Sequence, residues 1–288
     1  MQNYHKHTCC SNIYTPDSPA TYEQYAKRAV ELSQNILCSL EHGWQGKYHE
    51  CREIAIKYGL KFIFGTEAYW VKDRHEKDRT NCHIVLLAKN ENGRQWINEV
   101  LSTANEDGYY YRPRLDEELL FQLPPNDVFV TSACVAFWHY EPNYVENLVL
   151  RLHNHFKDNF MLEIQAHNTD KQKQLNARIL ELSKKYGIQM IVGLDSHYIY
   201  PEQSVERDAL LAASDTHYDD EDGWYMDYPN EATVRQRFAE QGIVPPAAVD
   251  QAVRNTDLIC DFEDYDSEVF QTNRKLPTLY PDKTPEEK

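Results

Sequence analysis

His5 and His7 stand two residues apart beside the amino terminus, a spacing that on extended backbone puts both imidazoles on one face as a clamp for a transition metal. Similar side chains end further apolar runs. Glu41-His42-Gly43 follows residues 36–40, Glu67 closes 62–66, Cys134 closes 128–133 and His167 closes 160–166. Asp195-Ser196-His197 follows 190–194 and repeats the two-residue spacing, whereas His83 opens its run, 83–88. Taken singly, each has an ordinary explanation: a surface histidine pair, a turn acid at Glu41, an inert core thiol at Cys134. Packing does not explain their recurrence at nearly every run. Imidazole, carboxylate and one thiol together suit zinc, manganese or iron, and suit magnesium or calcium poorly. More candidates than the four that close a structural zinc site point to a centre with more than one ion.

Seven apolar runs carry these residues: 3–7, 36–42, 62–67, 83–88, 128–134, 160–167 and 190–197. Stretches of helical periodicity separate most of them, at 22–32, 48–58, 96–104 and 171–186. The alternation predicts an α/β fold of parallel β/α units, and in a barrel of such units the carboxyl ends of the strands converge on one face. Beyond Tyr200 the pattern turns helical, at 205–214, 231–241 and 247–259, around an acidic turn at 219–223. The expected organisation is a barrel carrying the metal centre over 1–200, a helical extension packed on or completing it over 201–260, and an acidic, proline-punctuated connector over 261–288.

The balance of 30 Lys+Arg against 46 Asp+Glu, a net charge of −16, argues against broad nucleic-acid binding through a basic surface. A phosphate-bearing substrate needs local positive charge, which site-bound divalent ions supply. Seven cysteines without a CxxC pair read as reduced thiols. With no secretory signal and no apolar run of membrane-spanning length, the expected location is cytoplasmic.

Five segments resemble the PHP (polymerase and histidinol phosphatase) domain: His5-Lys6-His7-Thr8, Ser39-Leu40-Glu41-His42-Gly43, Gly65-Thr66-Glu67-Ala68-Tyr69, residues 83–90, and Gly193-Leu194-Asp195-Ser196-His197-Tyr198. Tyr110-Tyr111-Arg112-Pro113-Arg114-Leu115-Asp116 and Thr131-Ser132-Ala133-Cys134 resemble, more narrowly, the amino-terminal PHP domain of the bacterial DNA polymerase III α subunit. Residues 255–259 and 275–281 resemble the segment leading from that domain towards a polymerase palm. The resemblance covers almost the whole chain. It implies a distorted (β/α)7 barrel with up to three metal ions at its mouth, held by His5, His7, Asp17, His42, Glu67, His83, Cys134, Asp195 and His197. Asp17 requires a small insertion within 9–16, and Asn12 is the alternative; Glu41 stands where the family often has aspartate.

The resemblance further implies a metal-dependent 3′→5′ exonuclease of proofreading type. Its partners would be a single-stranded DNA 3′ end and the rest of a polymerase or other replisome subunits. Two or three zinc, manganese or iron ions would be held, the most buried pair by His5, His7, Glu67 and Asp195 with Glu67 bridging. A metal-bound hydroxide, not a side chain, would be the nucleophile. Arg112, Arg114, Tyr111 and His167 are candidate substrate contacts, through guanidinium, aromatic and imidazole groups. Two other functions remain open: a phosphomonoesterase resembling histidinol phosphatase, and a non-catalytic metal-stabilised module of a replicative polymerase.

Overall fold

The computed structural model describes residues 1–14, 16–216, 223–265 and 270; the acidic residues 219–222 and the connector beyond Phe270 lie outside them. In chain order the elements are α1 (Tyr22–Glu31), β1 (Ile36–Ser39), α2 (Tyr48–Lys57), β2 (Lys61–Trp70), β3 (Cys82–Ala88), α3 (Glu91–Glu106), β4 (Tyr109–Tyr110), β5 (Arg112–Leu115), α4 (Glu117–Leu120), β6 (Val128–Thr131), α5 (Pro142–Phe156), β7 (Phe160–Ile164), α6 (Asp170–Tyr186), β8 (Met190–Val192), α7 (Ser204–Ala213), α8 (Glu231–Gln241) and α9 (Pro246–Asn255). Local sequence sets the helix limits. Thr21 and Gln24 form a capping box on α1, whose buried Tyr22, Tyr25, Ala26 and Ala29 follow the helical repeat. Thr169 caps α6, and Gly187 ends it at φ 71°, a conformation that suits glycine. The third helix starts earlier than periodicity predicts because Asn90 caps it by accepting from the Gly93 amide.

The strands form one curled sheet in the order β4-β5-β2-β3-β6-β7-β8, with β1 also paired to β2. β1 with β2, β6 with β7 and β7 with β8 are parallel, as expected. β3 is not: it runs antiparallel to both β2 and β6. That reversal carries the start of β3 to the rim where the parallel strands end, which is why His83 opens its run while its counterparts close theirs.

Residues 3–7 also depart from expectation. They form no strand but a single parallel bridge, Lys6 with Ser196, because the Asn3 and Gln2 amides are taken by the Gln34 and Thr256 side chains. His7 N donates to Ser196 O at 2.8 Å and Ser196 N to His5 O at 3.2 Å, so the two His/Asp segments are stitched edge to edge.

Strand alternation divides the apolar residues between two cores. Leu37, Phe62, Phe64, Ile84, Leu86, Val130, Leu162 and Val192 face outward to the helices, in a cluster that also takes in Val234 and Phe238 of α8 and Val249 and Val253 of α9. Ile36, Cys38, Ile63, Val85, Leu87, Phe129, Met161 and Ile191 face the interior and fill its lower part, with Ile259 and Phe262 from a 3-10 turn after α9. Two residues above this plug, the same inward parity places His83 beyond Val85 and Glu163 beyond Met161, while Glu67 stands four beyond Ile63 with Gly65 between, and Asp195 follows the end of β8. Among the described residues no helix is long and apolar enough to cross a membrane.

Candidate metal centre

Glu67 is the hub of the rim. Its Oε1 lies 3.2 Å from His5 Nε2 and 3.2 Å from His83 Nδ1, and its Oε2 lies 2.6 Å from His42 Nδ1 and 3.4 Å from His7 Nε2. Asp195 Oδ1 stands 3.4 Å from His5 Nε2 and 3.2 Å from His7 Nε2. On the far side His197 Nε2 meets Asp17 Oδ2 at 3.4 Å, and Cys134 Sγ lies 3.5 Å from His83 Nδ1. All nine sequence candidates therefore meet, although they come from segments up to 192 residues apart in sequence, from His5 to His197. Asn12 does not join them. Its amide donates to Ser18 O, and its carbonyl accepts from the Asp17 and Ser18 amides, which turns the loop so that Asp17 faces the rim. Ser18 Oγ lies 2.9 Å from His7 O and 2.8 Å from His197 O, pinning both segments. Glu41, buried beside the cluster, accepts from Thr8 N, Thr8 Oγ1 and Ser11 Oγ and holds the first segment in place.

Proximity here is not pairing. His5 Nε2, His7 Nε2, His42 Nδ1, both Glu67 oxygens, Asp17 Oδ1 and Asp195 Oδ1 are buried without a hydrogen-bond partner. Buried polar atoms without partners are costly, and here they converge on shared points. Among the described residues, three sets of donor atoms lie close enough to hold an ion: His7, His42 and His197; His5, His7 and Glu67; His42, Glu67 and His83. This donor chemistry fits divalent zinc, manganese or iron. Backbone strain occurs at the same place, with Ala133 at φ 46° and Asp195 at φ 49°, a costly region for residues with a Cβ.

Burial lowers the basicity of His7, to about 3, helped by neighbouring His42. Burial also opposes the charged form of His42, but the Glu67 carboxylate overrides it and holds the imidazole up at about 9. Burial would raise Asp17 and Asp195, yet His197 and His5 respectively pull them below the usual carboxylate range. At neutral pH, then, His42 carries a proton that a cation must expel, while the carboxylates are already charged. We expect metal affinity to rise from pH 6 towards 9, by about tenfold per unit for each proton displaced. Calorimetry in buffers of different ionisation enthalpy counts those protons, and a pH-independent affinity would contradict the assignment.

Glu163 is the functional residue the sequence reading passed over. Its buried carboxylate accepts from Tyr4 Oη at 2.7 Å, Thr131 Oγ1 at 2.9 Å and Gln165 Nε2 at 2.8 Å, and meets His5 Nδ1 at 2.7 Å. That contact fixes the His5 ring with Nε2 towards the cluster, as outer carboxylates do for metal-binding histidines. Its signal in the sequence is an acid at an inward position of an otherwise apolar strand.

A cleft of about 370 Å³ opens over the rim, lined by Asp17, His42, His83, Cys134, Asp195 and His197 together with Tyr69, Arg112, His139, Lys171, Trp224 and Met226. Of the expected substrate contacts, Arg112 is in this lining. Arg114 is not, and its role needs correction: its guanidinium is buried and bonds the carbonyls of Arg74, Glu76, Asp78 and Gly108, so it is a structural clamp. Tyr111 stands outside the cleft, on the surface beside it. His167 is buried; the Tyr225 amide donates to its Nδ1 at 3.0 Å, which assigns the ring proton to Nε2. Tyr225 belongs to a strap, 223–226, that also accepts from the His197 and Tyr198 amides through Met226 O.

A curled α/β sheet whose rim gathers imidazoles and carboxylates defines an α/β barrel of the metal-binding kind. The chain belongs to the PHP domain family, whose model matches residues 3–167. Asp195 and His197 lie beyond that match, on the same rim. Curated relatives include the DNA polymerase III subunit alpha of Aquifex aeolicus, 29% identical over 72% of this chain and 19% of that protein. The Thermus aquaticus subunit is 30% identical over 84% of this chain and 21% of its own length, so the chain corresponds to about a fifth of these relatives. Among solved structures, an amidohydrolase from Chromobacterium violaceum with bound sulfate aligns over 86% of this chain and 99% of its own, at 15% identity and a TM-score of 0.44.

Proposed function

We propose that this chain is a metal-dependent phosphoesterase acting on DNA ends as a 3′→5′ exonuclease. The observation that carries the metal dependence is the set of buried nitrogen and oxygen atoms that face one another without hydrogen bonds. The nine ligands would be His5, His7, Asp17, His42, Glu67, His83, Cys134, Asp195 and His197. Divalent ions, when bound there, would supply an activated water and neutralise charge on the phosphoryl oxygens. The chain's own residues do the rest. Glu163 orients His5. Arg112 offers the cleft a guanidinium for a phosphate oxygen. His167, held near neutrality by burial that lowers it to about 4, presents an Nε2–H donor beside Asp195. Trp224 and Met226 line the same cleft. The polymerase relatives support DNA as substrate, a replisome setting and a cytoplasmic location, and α7, α8 and α9 would serve as a helical extension of the barrel.

A phosphomonoesterase is the second reading, favoured by a cleft of about 370 Å³, a size suited to small ligands. Protein loaded with manganese or zinc should shorten a 5′-labelled single strand from its 3′ end and release little phosphate from monoesters, and chelation or His5→Ala should stop it. Phosphate release without shortening would favour the monoesterase. Turnover of neither, with loss of stability on chelation, would leave the metal a structural role only.

A further inference from the structure

Beside the cleft, aromatic rings and guanidinium groups alternate. Tyr69, whose ring lies 5.2 Å from His83 and 6.3 Å from His42, is covered by Arg112 at 5.7 Å, and Arg112 also lies 4.9 Å from the Tyr14 ring. Further out, Arg79 sits 3.7 Å over Tyr111, which meets Tyr110 edge to face at 4.9 Å. Tyr109 and Tyr111 are 55% and 54% exposed, unusual for large aromatics on a chain with so apolar an interior.

This surface is rigid. Tyr110 pairs with Arg112 across a turn of one residue, and Tyr111 is held there at φ 63°, a costly conformation for a side chain of its size. The Arg114 clamp ties the same hairpin to the loop 74–78 by three bonds to backbone carbonyls, and a fourth goes to Gly108 just before the hairpin. Asp78, the nearby acid, is engaged by Thr80 and Tyr140. β5 in turn pairs with β2 at Tyr69, two residues beyond Glu67, so the platform is fixed relative to the metal ligands.

Resting on the phosphodiesterase reading above, we propose that Tyr109, Tyr111 and Arg79 form a stacking shelf for the bases of a single-stranded nucleic acid whose terminal phosphodiester lies in the cleft. Flat rings with arginine are tolerant of base sequence and add affinity with each base stacked. A strand reaching the cleft across the shelf would stack bases on it before the scissile linkage. The shelf also gives a strongly acidic chain a means of holding nucleic acid that does not depend on a basic surface.

The test is binding, measured by fluorescence anisotropy on manganese-loaded protein with 5′-labelled oligothymidylates whose 3′-terminal linkage is an uncleavable methylphosphonate. Affinity should rise about tenfold or more from the dinucleotide to the tetranucleotide. Tyr109→Ala/Tyr111→Ala should abolish that rise, and an abasic tetramer should bind no better than the dinucleotide. A length dependence retained in the double variant, or an abasic strand bound as tightly as thymidylate, would overturn the shelf. Both tyrosines are exposed, so the variant should fold, as circular dichroism would verify. The readout needs no turnover, so a chain that binds with this pattern yet hydrolyses nothing would refute the phosphodiesterase reading and keep the shelf.

Discussion

Glu67→Gln should strip the centre of metal while leaving the fold in place. The glutamine matches the carboxylate in size, so the interior plug of Ile63, Val85 and Leu87 beneath it keeps its packing. The charge that four imidazoles share is gone, however, and one oxygen becomes an NH2 donor facing nitrogens that need an acceptor or a cation. Loss of an outer-shell partner weakens metal sites by about 10–100-fold, and a shared ligand should exceed that range. Phosphoesterase activity should fall with it. Metal content after equilibrium dialysis, with circular dichroism as a check on folding, decides the matter. A second readout needs no metal: without the Glu67 charge, the His42 imidazole should titrate well below its present value of about 9, visible by NMR. Full metal occupancy in the variant, or an unmoved His42, would remove Glu67 from the centre of the site.

Gly193→Ala should be among the most damaging single-methyl additions to this protein. A Cβ built on Gly193 would stand 1.9 Å from Glu163 Oε1 and 2.2 Å from its Cδ, with the carboxylate already bonded to Tyr4, Thr131 and Gln165 and fixed against His5. Nothing there is a free side-chain end that can swing aside. Overpacking a core costs about 1–3 kcal/mol, and breaking the bonds of a buried charge brings the total to about 3–5 kcal/mol. Thermal and urea unfolding should show that loss, together with weaker metal binding through a disoriented His5. Gly187→Ala is the control: it adds a methyl into open space at φ 71°, so its cost of about 1 kcal/mol is backbone strain alone and metal binding should not change. Adding Glu163→Ala to Gly193→Ala should restore part of the stability, since the clash disappears. A Gly193→Ala protein as stable as its parent would show that Glu163 is not held as described.

Much of the rim was legible because its chemistry is written in residue type. Histidine, acid or cysteine next to a β-branched run needs no partner to be noticed, and strand alternation alone puts Glu67 on the inward face. Glu163 obeys the same alternation but stands inside its run instead of ending it, and only the contact with His5, 158 residues away, reveals its work. Arg112 and Arg114 looked equivalent two residues apart. Only the tertiary contacts separate them: Arg112 lines the cleft, whereas four carbonyls claim the guanidinium of Arg114.

Local sequence was enough for most of the strands and helices, for the side chains able to bind a cation and for the strand parity that turns Glu67 inward, but not for α5, β4 or β5, because only the first group follows from a clear helical or two-residue period. Tertiary structure alone decided that β3 is reversed, that 3–7 is a bridged edge instead of a strand, and that a strap at 223–226 sets the tautomer of His167. Each of these rests on a contact between segments far apart in the chain, and the energy of such a contact belongs to the pair, not to either local sequence.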